Sequence, residues 1–403
     1  MLGLITALGA FGIDAYLPAF PDIARGLNVP EAAVQYSLVS YFVALAGGQL
    51  VYGPLSDRHG RRGPLLVGFA LFVAGSVWAA FAGSVEVLVA ARFLQGMGAC
   101  AGMVIARAVV RDLRSGEEAA RLFALMILVL GVSPILAPMC GSLLLAWFDW
   151  RAVFWLLAGL GAACLAMVLL CLEETHPPAK RSAGVGEAFA RYARLARDWR
   201  FVGTALVGGF SQGAVFAYLA GSSYVYITLH HVRPTAYSLL FALNAVALIG
   251  SAQGNVRLMR RLGAPRVLRA GTLLQTAAGG TLFAVAALHA DTVPALAGLL
   301  VVTLGCQGIL GPTSSVVALE PHAASAGAAS ALMGALQFGC GVVSSAAVST
   351  LSNRFVGSAV PMAAVIAGCA AAGLLLVFFG PAGRREPGAE AGIDQPNPAI
   401  ATP

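Results

Sequence analysis

Two apolar runs, from about Val34 to Leu55 and from Leu65 to about Ser84, flank the six residues Asp57 to Arg62, which carry four charges. A hydrophobic stretch crosses a bilayer at roughly 20 residues. Both runs reach that length, so the charged stretch is a tight loop between two membrane helices. Short loops rich in Lys and Arg gather on the cytoplasmic side, and Arg58, Arg61 and Arg62 set that orientation here. Gly53 is expected to let a neighbouring helix come close, and Gly60 to permit the sharp turn. Asp57 sits at a helix end among arginines, where an ion pair or a cap is expected.

Composition extends this reading to the whole chain. Of its 403 residues, 59% are hydrophobic and 11% charged, against roughly 25% charged in a soluble domain. The expected class is an all-α membrane protein with twelve spans and both termini cytoplasmic. On that topology twenty of the 25 Lys and Arg fall in cytoplasmic segments and four outside (Arg25, Arg151, Arg233, Arg354), with Arg92 inside a span. The net charge of +7 is therefore topological and not a surface for nucleic acid. All seven cysteines lie in apolar spans and read as buried free thiols, with no metal site. The single lysine, Lys180, stands in no Gly-x-x-x-x-Gly-Lys-Ser/Thr loop, which excludes an ATP-driven pump on this chain. The first span lacks a basic leader and is interrupted by Asp14, so it is expected to stay uncleaved. It begins so near the first residue that a preceding N-terminal piece is expected.

The spans run in order from about Leu2–Phe20, Val34–Leu55, Leu65–Ser84, Val87–Val110, Leu122–Trp147 and from after Arg151 to Leu172. The second six occupy about Phe201–Leu229, Ala236–Val256, Val267–Leu288, Val293–Leu319, Ala323–Leu351 and Ala359–Gly380. Residues 1–172 and 201–380 thus form two six-helix bundles, as internal repeats of secondary transporters do. Between them, residues 173–200 are the one long polar interruption. Phe189, Tyr192, Leu195 and Trp199 recur there every three to four residues among arginines. That spacing describes an amphipathic basic helix, lying on the inner leaflet or solvated as a linker. The Pro-, Gly- and Ala-rich tail, 381–403, is expected to be disordered and cytoplasmic.

Asp14 is the one acidic residue of 18 placed inside a span. A carboxylate in hydrocarbon costs several kcal/mol unless it is protonated, paired or facing a wet cavity. That makes Asp14 the expected proton carrier, against the alternative of a structural carboxyl bonded to a neighbouring helix. Arg92 lies about as deep in the fourth span, roughly 10 Å at 1.5 Å per residue. It reads as the partner that would pair with Asp14 and help expel its proton, or as a snorkelling anchor. In the fifth span Gly131, Pro134, Pro138 and Gly141 should kink the helix and allow close packing. Tyr16, Gln95, Gln212, Tyr218, Asn244 and Gln307 are polar groups in spans, each able to line a cavity or to bond across helices.

These stretches together resemble the drug:proton antiporters of the major facilitator superfamily, and within it the Bcr/CflA (bicyclomycin-resistance) exporters. The residues carrying the resemblance are Asp14 to Pro21, Gly53 to Arg62, Arg92 to Gly98, Ala106 to Leu113, Pro134 to Gly141, Trp150 to Phe154 and Phe241 to Ala245. The resemblance implies a bacterial inner-membrane exporter of amphipathic drug-like molecules, driven by inward proton flow, with protons as the only coupling ion and no cofactor. It is expected to be no enzyme and to act as a monomer. It implies that Arg92 takes part in proton coupling. It also implies that Gly53, Asp57, Arg58, Gly60, Arg61 and Arg62 form a conformational latch. Asp57 would then engage the start of the eleventh span, near Ser325 to Ser330, in the outward-facing state. Ala137 and Ser142 depart from the antiporter pattern in the fifth span. The alternative function is a proton symporter importing a small organic solute.

Overall fold

A computed structural model describes residues 1–114, 116–177 and 185–380. The tail expected to be disordered, 381–403, and Lys180 lie outside the described residues. The first half contains α1 (Leu2–Asp14), α2 (Phe20–Leu27), α3 (Glu31–His59), α4 (Arg62–Ala80), α5 (Val85–Leu113), α6 (Gly116–Leu145) and α7 (Arg151–Cys171). Next comes α8 (Val185–Arg197). The second half contains α9 (Trp199–Ser223), α10 (Pro234–Leu262), α11 (Ala264–Ala287), α12 (Val293–Leu319), α13 (Ala326–Ser352) and α14 (Val360–Phe379). Among the described residues, twelve helical stretches are long and apolar enough to cross a membrane, α1 and α2 together making the first.

Packing repeats between the halves where the sequence hardly does. In the first half α5 lies against α3 and α4, and α4 against α7. In the second, α12 lies against α10 and α11, and α11 against α14. Each set joins the same positions in its bundle. The halves meet chiefly through α3 on α13 and α6 on α10.

Small residues decide how near the backbones come. A Cβ on Gly98 of α5 would stand 2.4 Å from the Gly68 carbonyl oxygen of α4, so only hydrogen fits at that crossing. Gly53, expected to serve such an approach, meets only the Tyr192 hydroxyl, at 3.7 Å, because no helix backbone crosses there. Gly60 does turn the chain, with φ of 87° between α3 and α4.

Several boundaries differ from the sequence reading: the first span runs on through α2 to Leu27, and the eighth to Leu262. The expected loop 111–121 is mostly helical, because α5 runs on to Leu113 and α6 starts at Gly116. The eleventh span starts at Ala326, after a 3-10 stretch Glu320–Ser325. In α8, Tyr192 and Leu195 are buried against Ala329 and Met333 of α13, while Phe189 remains exposed, as does Trp199, which opens α9. The apolar face of α8 is therefore docked on the protein rather than given wholly to lipid. The Tyr192 hydroxyl donates to the Leu50 carbonyl at 3.4 Å. Burial, with the Asp57 charge nearby, pushes that hydroxyl up to about 12.

Candidate functional site

The arginines mark one face of the bundle, at the ends of α3, α5 and α10 (Arg58, Arg111, Arg260, Arg261) and the start of α4 (Arg62). On the opposite face the halves are tied together. Thr228 donates to Glu31, Tyr36 meets Thr350 at 3.3 Å, and the Ser238 hydroxyl donates to the Pro138 carbonyl at 2.9 Å. Below these contacts Phe42 of α3 stacks on Phe216 of α9, with ring centroids 4.2 Å apart.

Between the halves lies a cavity of about 590 Å³. The first half lines it with Thr6, Asp14, Gln49, Arg107 and Pro134, and the second with Gln212, Tyr218, Asn244 and Gln337. Phe123, Met126, Phe216, Phe241 and Phe338 supply much of the remaining wall. Few polar groups on an apolar wall is the make-up of a small-molecule site. The Tyr218 hydroxyl and Asn244 Oδ1 are closed off from solvent and have no hydrogen-bond partner among the described residues.

Asp14 is the only carboxylate among the described residues on this wall. It ends α1, where the chain turns into a 3-10 stretch at Leu17–Ala19. Gly141 of α6 is pressed against the turn: its Cβ would lie 1.9 Å from the Ala15 carbonyl oxygen. Pro134 and Pro138 both lie inside α6, well within its ends. Pro134 faces the cavity, and Gly131 has ordinary contact with Ile249 at 3.4 Å.

Arg92 is fully buried in the first half. Its Nη2 donates to the Gly12 carbonyl at 2.9 Å and its Nη1 donates to Gln95 Oε1. The guanidinium lies between the rings of Tyr16 and Tyr41, 4.1 and 4.2 Å from their centroids. Tyr41 donates to the Gly9 carbonyl, and Gln95 donates on to Ser76. The expected pairing of Arg92 with Asp14 is absent among the described residues. Helices α1 and α5 are neighbours, but Arg92 takes the Gly12 carbonyl, while Asp14, two residues on and about 200° around the helix, lines the cavity. Asp14 therefore looks into the cavity while Arg92 braces the other side of the same turn.

The six polar candidates divide on this geometry. Gln212, Tyr218 and Asn244 line the cavity. Tyr16 and Gln95 instead pack on Arg92 and do not reach the wall. Gln307 stands behind it, donating to Gln212 Oε1 at 2.6 Å. Three polar lining residues escaped the sequence reading as site candidates: Thr6, Gln49 and Arg107. The charge count places Arg107 in the cytoplasm, although it lies within the expected span Val87–Val110, three residues before its end, and shares α5 with Arg92.

The charged loop forms an ion-pair cluster within the first half. Arg61 pairs with Asp57 at 2.5 Å and with Asp112 of α5 at 2.7 Å. Burial opposes the Arg61 charge, but the bonds to Asp112 and Asp57 outweigh it and hold its pKa above the ordinary value. The amides of Arg61 and Arg62 donate to Glu174, and Arg62 reaches the Leu169 carbonyl at 2.8 Å. Arg58 is exposed. No hydrogen bond among the described residues joins Asp57 to Ser325–Ser330. The ion pair expected of Asp57 among the neighbouring arginines is the one it makes with Arg61.

Comparison with known proteins agrees with this architecture. The family model described as Major Facilitator Superfamily matches residues 2–348. An uncharacterized MFS-type transporter, YdgK of Bacillus subtilis, is 36% identical, with 94% of each chain covered. A bicyclomycin resistance protein homolog of Haemophilus influenzae is 29% identical, again over 94% of each chain. The multidrug resistance protein MdtL of Escherichia fergusonii is 30% identical over 93% of each. The resemblance read from the motifs is borne out by these relatives.

Proposed function

Because this chain belongs to the major facilitator superfamily, we propose that it exports amphipathic drug-like molecules across the bacterial inner membrane in exchange for protons, by alternating access. The observation that carries the reading is Asp14: a lone carboxylate on the wall of a cavity built from both halves. A group so placed can bind substrate or a proton in turn, which couples the two. The drug-resistance names of two relatives at about 30% identity support drug-like cargo. With the arginine-rich face and both termini in the cytoplasm, the contacts Glu31–Thr228 and Ser238–Pro138 close the outer side. The conformation is then inward-facing. That fits an Asp57 not joined to Ser325–Ser330, since the latch is expected to hold the outward-facing state.

Inside-out membrane vesicles test the proposal. Respiration acidifies their lumen, so an exchanger accumulates drug inside as protons leave. An importing symporter would instead drive its solute out of the lumen, so the sign of the flux separates the two. Asp14→Asn keeps the shape but cannot ionise. It should abolish uphill accumulation while drug binding partly survives. Normal accumulation by this variant would remove Asp14 from the proton path.

A further inference from the structure

Arg107 is a second charge on the cavity wall, and neither Asp14 nor the proton path uses it. It stands fifteen residues beyond Arg92 on α5, about 22 Å along the helix axis at 1.5 Å per residue. Arg92 touches the turn of α1 that bears Asp14. Arg107 and Asp14 therefore occupy opposite ends of the cavity, Arg107 near the arginine-rich face. Its Nε donates to the Met103 carbonyl at 2.9 Å, which fixes the plane of the guanidinium. Nη1 and Nη2 have neither a hydrogen bond nor an acidic partner among the described residues, and the side chain is exposed. A snorkelling arginine would turn out to the headgroups; this one lines the space between the halves. Met103, Phe123 and Met126 line the same cavity and give it apolar wall.

We infer that Arg107 is an entry anchor for amphipathic molecules bearing a carboxylate. The fork of two free nitrogens matches the two oxygens of a carboxylate, and the Met and Phe side chains take the apolar body. Asp14 does not oppose such a ligand. It lies well beyond the screening length of about 8 Å for a wet site at physiological salt. The inference rests on the cavity being the substrate path of the proposed exporter, but not on proton exchange.

Binding to the purified full chain in detergent, at fixed pH and with no gradient, tests it. The probes are dansylglycine and its uncharged counterpart, dansylglycinamide. Hydrogen bonds to a charged group are worth about a tenfold or greater difference in affinity. The acid should therefore bind about ten times more tightly than the amide to the wild-type chain. Arg107→Gln should bring that ratio to about one, and Arg107→Lys should restore part of it. A wild-type ratio of one or less overturns the inference, as does a ratio that Arg107→Gln leaves unchanged. If Arg107→Gln does not fold, the wild-type and Arg107→Lys ratios decide. Failure of the proton-exchange reading would appear only in the vesicle assay.

Discussion

Replacing Arg92 by lysine keeps its charge and removes its shape. The guanidinium holds the Gly12 carbonyl, Gln95 and the faces of Tyr16 and Tyr41 at once. An ammonium on a flexible stem cannot lie flat between two rings and still reach both acceptors. One charge-assisted hydrogen bond is worth about 1.5–3 kcal/mol, and a desolvated cation–π contact about 2 kcal/mol. Losing the bond and part of the ring contact costs about 3–4 kcal/mol by these figures. Unfolding entropy of about 2.1 cal/mol/K per residue, over 403 residues, gives about 0.85 kcal/mol per degree. The melting temperature should then fall by about 4 °C. A thiol-reactive fluorogenic dye reads the transition, since Cys100, Cys164 and Cys306 are free and buried. Arg92→Gln, which also strands the buried acceptors, should fall further. A lysine variant that melts like wild type, beside a glutamine variant that does not, would show that charge alone matters and refute the clamp.

Gly141→Ala should lower stability by about 1–3 kcal/mol and slow transport, because its Cβ would lie 1.9 Å from the Ala15 carbonyl oxygen. Gly131→Ala, with its nearest contact at 3.4 Å, is the control and should melt within a degree or two of wild type. Asp57→Asn should shift label distances across the face bearing Glu31 and Thr228 toward the closed arrangement seen here; an unchanged distribution would leave Asp57 with no part in switching. Tyr192→Phe loses the bond to the Leu50 carbonyl, at about 1 kcal/mol, and should quicken protease cleavage between the halves. With one carboxylate as carrier, collapsing the membrane potential at fixed ΔpH should remove about 2.3 kcal/mol per 100 mV from neutral drugs and nothing from monovalent cations. Equal loss for both would require a second proton site.

Span number and the charged turn were legible because each follows from a one-dimensional rule. A bilayer sets the length of an apolar run, and short loops collect arginine. Facing is a three-dimensional property, and there the sequence failed in particular places. Asp14 and Arg92 have matching depth, but the 200° between residues 12 and 14 of α1 puts the arginine on the backbone and the acid on the cavity. Tyr16 and Gln95 looked like cavity groups because they are polar residues in spans, yet both are spent on Arg92. Arg107 was lost to the opposite error. An arginine within a turn of a helix end scores as a loop charge in any topological count, and only the neighbouring half turns that position into a cavity wall. The same asymmetry orders the chemistry. The buried arginine spends Nη1 and Nη2 on Gln95 and the Gly12 carbonyl and does not reach the cavity wall, so it is not the group that meets a molecule there. The exposed one has two free donors at the mouth, and the acid waits at the far end. On the proposed exchange reading, a charged molecule entering from the arginine-rich face would meet Arg107 first and Asp14 last, which would separate recognition of charge from exchange of the proton along the path.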